Sequence, residues 1–151
     1  MALIWIVGRE TLGYRNLTPV ADELGKRGHS VLMLVSGAMA ENLQKDAHNG
    51  KMRPFLNIEN FEPNGEKHIF NFLRIPNLVL TDIAIRPGNG LGLVLNLPPN
   101  VIKITLLGGY AGNLFKETLG AKNSLFSPDF FLVNDEFAAK IAAEEFPQLG
   151  E

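Results

Sequence analysis

The sequence predicts an α/β domain of three layers: a mainly parallel sheet of five or six strands between helices. Three observations carry this. Short apolar runs rich in β-branched residues recur along the chain and end in polar or glycine positions. They lack the alternation of a half-solvated strand, which suits strands covered on both faces. Helical periodicity fills the space between them, and strands alternating with helices imply crossover connections and an open, Rossmann-like sheet.

The strand candidates are Leu3 to Val7, Val31 to Val35, Leu78 to Leu80, Val101 to Leu107 and Phe130 to Val133, with a further one near Phe55 to Ile58. Between the first two, Leu17, Val20, Ala21 and Leu24 recur at i, i+3, i+4 and i+7, one face of a helix. Pro19 fits that helix only in its first turn, and Gly28 suits the left-handed position after its end. Met39 to Ala47 reads as a second helix. Asp135 to Phe146 reads as the last, capped by Asn134 or Asp135, with Phe137, Ile141 and Ala142 facing inward.

Length and composition narrow the function. At 151 residues the chain fits a single domain, residues 1 to 151, a size that buries roughly 68–70% of the surface exposed when unfolded. A formal charge of −2 offers no broad attraction for nucleic acid or an anionic membrane. The absence of cysteine excludes disulfides, thiolate metal sites and a cysteine nucleophile, and is compatible with a cytoplasmic location. Three scattered histidines make a poor metal set, so no metal is expected. The apolar start from Ala2 to Val7 is too short for a signal sequence or a membrane span.

In an open parallel sheet, ligands collect outside the carboxyl ends of the strands, where helix amino ends present free N–H groups and a positive dipole. This nominates four clusters. The first is the loop Gly8 to Asn16, in which Gly8 and Gly13 allow close backbone approach, Arg9 and Arg15 offer charge to an anion, and Glu10 is a candidate general base. Its glycines do not form the dinucleotide fingerprint or a P-loop, and no cofactor is expected. The others are Ser36-Gly37, Thr81-Asp82, and Gly108-Gly109-Tyr110-Ala111-Gly112-Asn113, where adjacent glycines suit an oxyanion and Tyr110 suits a stacked ring. Asp82 is the candidate buried carboxylate and, with Glu10, a candidate catalytic residue. For each cluster a plainer reading stands beside this one: glycines that shape turns, charges that face water and an Asp82 that caps a helix. Gly88 to Gly92 does not directly follow a strand and reads as a turn, and His29 falls on the amino edge, away from any such site.

Gly8 through Val35, with Leu24-Gly25-Lys26-Arg27-Gly28-His29-Ser30-Val31 leading into the second strand, resembles the opening of GT-B-type nucleotide-sugar enzymes. Pro76 to Asp82, Gly108 to Asn113 and Ser127 to Ala138 then resemble successive strand ends in the amino-terminal half of that superfamily. The similarity is greatest to members acting on CDP-glycerol polymers or resembling UDP-N-acetylglucosamine 2-epimerase, and Lys51 to Lys67 is unmatched. The resemblance implies the acceptor-side half of a glycosyltransferase-like enzyme. Its partners would be a small-molecule acceptor, a nucleotide-activated sugar or polyol, and a second Rossmann-like domain that holds the donor. Phe146 to Glu151 lies where the family crosses into that second half, so the chain is expected to be either an amino-terminal domain or a one-half relative inactive alone. Arg9-Glu10 stands where several relatives carry a histidine. The alternative is a stand-alone flavodoxin-like domain that binds a small molecule or anion without catalysis.

Overall fold

The computed structural model describes residues 1–61, 73–82, 94, 97–106, 129–132 and 136–145. Six strands, β1 (Leu3–Gly8), β2 (Ser30–Val35), β3 (Leu56–Asn60), β4 (Leu78–Asp82), β5 (Ile102–Leu106) and β6 (Phe130–Leu132), form one sheet in the order β3-β2-β1-β4-β5-β6. Every neighbouring pair is parallel. The expected three-layer α/β fold is therefore present, and the strand anticipated near Phe55 to Ile58 is the edge strand β3. Strand order reverses between β1 and β4, which makes their carboxyl ends the switch point of the sheet.

The helices are α1 (Thr11–Lys26), α2 (Gly37–His48) and α3 (Glu136–Glu145). Leu17 and Ala21 of α1 and Met39 and Leu43 of α2 close over Ile4, Ile6, Val31, Met33, Val35 and Leu80, so both helices cover one face of the sheet. The residues between these on the strands point the other way. Trp5, Val7, Leu34 and Val79 are just as buried, so the second face is covered too. At its carboxyl end this second face holds a polar pair, Thr81 and Thr105, register partners whose hydroxyls lie 3.0 Å apart in the interior.

One boundary differs from the sequence expectation by more than two residues. α1 begins at Thr11, so Gly13, Tyr14, Arg15 and Asn16 belong to the helix rather than to a long loop, and only Arg9 and Glu10 connect it to β1. Pro19 consequently sits inside α1, not in its first turn. It has no N–H for the carbonyl of Arg15, and its exposed position keeps that loss on the solvent side. The buried stripe of Leu17 and Ala21 carries the helix through this break.

Both helix ends follow the residues. Gly28 is left-handed (φ +88°), with hydrogen bonds from its own N–H to Gly25 O and from His29 N–H to Leu24 O. Gly50 (φ +79°) repeats this after α2, donating to Ala47 O while Lys51 N–H donates to Asp46 O. These are Schellman motifs, which satisfy the last carbonyls of a helix. The expected caps Asn134 and Asp135, and the side chains of Phe137, Ile141 and Ala142, lie outside the described residues, as does the segment Gly88 to Gly92.

Candidate functional site at the carboxyl edge

The amino ends of α1 and α2 contrast with their carboxyl ends. Glu10 stands at the N-cap of α1 and Ser36 at the N-cap of α2, both in extended backbone, yet neither side chain caps its helix. Neither first turn contains an acid. Helix geometry leaves Thr11, Leu12 and Gly13 without intrahelical acceptors for their N–H groups. The first one that closes a turn is Tyr14 N–H, on Glu10 O at 3.1 Å.

Arg9 joins the two poles. Its carbonyl accepts from Met39 N–H at 2.8 Å, taking the donor that an N-cap serine ordinarily serves. The Ser36 hydroxyl is left buried without a hydrogen-bond partner among the described residues. The Arg9 side chain lies on Gly37, with Cγ and Nε 2.8 and 2.9 Å from where a Cβ would stand. Gly37 adopts φ +51°, so glycine is required there for its backbone as well as for this contact. A guanidinium thus covers the positive end of α2, an unfavourable pairing worth typically 0.3–1 kcal/mol. Glu10 compensates weakly, its carboxylate 3.9 Å from Arg9 with both side chains about two-fifths exposed.

The other nominated residues divide. Gly8 is buried, and a Cβ on it would stand 2.6 Å from the Met39 sulfur, so its missing side chain admits α2 to the sheet. Gly13 is buried in the first turn of α1, and Arg15, two residues on, is exposed. Thr81 is buried at the switch point, and Asp82 closes β4 opposite Leu106. The side chain of Asp82 and all of Gly108, Gly109 and Tyr110 lie outside the described residues. β5, which leads to those glycines, ends at the same edge as β1, but β4 stands between them. The strands are therefore about 10 Å apart. His29 lies at the opposite edge, where its Nδ1 accepts from Ala2 N–H at 3.2 Å.

Sequence reasoning missed a polar cluster behind the two poles. The Tyr14 hydroxyl donates to Asp46 Oδ2 at 2.7 Å, and Arg53 donates to the same oxygen at 2.9 Å and to Asp22. Burial raises the Asp46 pKa, but the hydrogen bonds from Tyr14 and Arg53 outweigh it and hold the carboxyl below its usual range. The hydrogen bond to Asp46 raises the Tyr14 phenol. One signal was available: Tyr14, Thr18 and Asp22 are four apart, a polar stripe on a helix that otherwise buries apolar residues.

No family model and no curated protein matches the chain. Among solved structures it is similar to the structure of MT0777, at 8% identity over 99% of this chain and 97% of that one, with a TM-score of 0.57. That likeness concerns the fold. Among the described residues there is no cluster of metal-ligating side chains, and no helix is long and apolar enough to cross a membrane.

Proposed function

We propose that this chain binds a small anionic, phosphate-bearing compound on the carboxyl edge of its sheet, between the amino ends of α1 and α2. One observation carries the reading: both carboxyl termini are closed by Schellman motifs, whereas both amino termini lack a side-chain cap and first-turn acids and meet at the cationic Arg9. An anion there receives N–H groups from α1 and charge from Arg9, and it removes the conflict between that cation and the dipole of α2. In this reading Glu10, half-exposed beside Arg9, accepts a proton from a bound hydroxyl.

The order of strand-end motifs supports a narrower form of this reading, in which the chain is the acceptor-side half of a transferase using a nucleotide-activated sugar or polyol. The edge described above then holds the acceptor, and a second α/β half supplies the donor. Titration of the chain with phosphate, UDP and CDP, followed by amide chemical shifts, tests both forms. Saturable changes confined to Arg9 through Gly13 and Gly37 through Met39 are expected. Scattered or non-saturating changes at millimolar ligand reject the site. Equal response to phosphate and to the nucleotides rejects nucleotide recognition but keeps the anion.

A further inference from the structure

The seam between α1 and α2 is polar where two packed helices ordinarily bury apolar side chains. Tyr14 and Asp22 reach out from one stripe of α1, and Thr18 lies between them, buried, its hydroxyl without a partner among the described residues. Asp46 comes from α2. Arg53 enters from the connection to β3 and is almost fully buried, its side chain only 7% exposed. It bonds both carboxylates, and its Nε has no hydrogen-bond partner among the described residues.

Stability alone does not account for this arrangement. Burying a guanidinium and partly burying two carboxylates carries a desolvation cost that their attraction offsets only in part, and an apolar seam of equal volume is often as stable or more so. A polar network instead admits few arrangements, because sliding one helix against the other breaks several hydrogen bonds together. Tyr14 is the residue after Gly13, so its bond to Asp46 ties the uncapped first turn of α1 to α2.

We infer that Tyr14, Asp46 and Arg53 are positioning residues: they fix the register of α1 against α2 so that the two amino ends and Arg9 converge on one anion. This rests on the anion-binding reading above, and its test separates the two.

The chain has no cysteine, so spin labels on Lys26→Cys and Gln44→Cys, both exposed, report the helix-to-helix distance in the full chain. Tyr14→Phe and Arg53→Met are expected to shift or broaden that distance. They should also weaken inorganic phosphate binding about tenfold, the scale of one hydrogen bond to an anion. Arg53→Lys, which keeps the charge, should recover part of both. An unchanged distance in Tyr14→Phe and Arg53→Met overturns the inference, however much thermal stability they lose. A changed distance with undiminished phosphate affinity overturns it as well, since register then does not serve the ligand. If the native chain fails to bind phosphate, the anion reading falls and takes the ligand half of the inference with it, while the distances still decide whether the seam sets register.

Discussion

Gly25 of α1 lies directly against Phe55 at the entry to β3: a Cβ on Gly25 would stand 2.7 Å from the Phe55 Cβ and 3.1 Å from its carbonyl oxygen. Neither atom belongs to the flexible end of a side chain. Gly25→Ala gains about 1 kcal/mol of helix propensity but forces apart α1 and the turn that leads into β3, an overpacking cost of roughly 1–3 kcal/mol. A net loss is expected, read as a lower urea midpoint with an unchanged slope. A higher midpoint would show that this contact yields freely.

Pro19 gives the opposite sign. Replacing it with Ala restores an N–H for the Arg15 carbonyl, a gain of up to about 3 kcal/mol in a helix interior. The more flexible unfolded chain returns about 0.4–1 kcal/mol of that. Pro19→Ala should therefore be more stable than the native chain by roughly 2 kcal/mol in equilibrium unfolding.

These two residues also mark how far the sequence could be read. The apolar stripe of Leu17 and Ala21 and the left-handed Gly28 were legible because they depend on local spacing and local backbone, and the sheet followed from its apolar runs. The start of α1 was not. Gly13 and Pro19 both disfavour helix, and what overrides them is burial against β1, β2 and β4, a tertiary effect. The site was half legible. Arg9, Ser36 and Gly37 could be nominated from their places after strands, but the contact of Arg9 with Gly37 and the diversion of the Met39 N–H to Arg9 O arise only when two crossovers meet. Tyr14 and Asp46 are 32 residues apart and Asp22 and Arg53 are 31 apart, so no local pattern pairs them.

Arg9→Gln separates function from stability. The substitution relieves the repulsion between that cation and the amino end of α2, worth about 0.3–1 kcal/mol, so a net loss of stability without ligand measures the other contacts of the Arg9 side chain. Phosphate affinity should fall at least about tenfold, because a neutral amide cannot form the charge-assisted bond. Calorimetric melting with and without phosphate checks both halves. If affinity is retained, Arg9 is not the ligand's charge partner.

Stability against pH should show two limbs, one from each end of the Tyr14–Asp46 hydrogen bond. Asp46 has a depressed pKa in the fold, so its contribution is present above the unfolded carboxyl value and is lost as pH falls through the folded one. Arg53 and Lys51 are the cations that favour its charge. Tyr14 has a raised pKa, so its contribution is complete below the ordinary phenol range and is lost as pH rises through the folded value. Asp46→Asn should flatten the acid limb, and Tyr14→Phe should flatten the alkaline one. Unfolding curves across pH 2 to 11 whose limbs are unchanged in these variants would refute the assignment.

Thr81 and Thr105 offer a test of the interior at the switch point. Their hydroxyls, on paired strands and fully buried, bond only to each other among the described residues. Valine is close to threonine in shape, so either single replacement leaves the remaining hydroxyl buried without a partner, at a cost of about 1–3 kcal/mol. Replacing both removes donor and acceptor together, which can be nearly neutral or stabilising. Thr81→Val and Thr105→Val should each destabilise, and the double variant should recover most of the loss, giving a coupling of at least about 1 kcal/mol in a double-mutant cycle. Additive losses would mean that each hydroxyl has a further partner, and because Thr81 ends beside β1 at the switch point, such a partner would place polar chemistry inside the crevice itself.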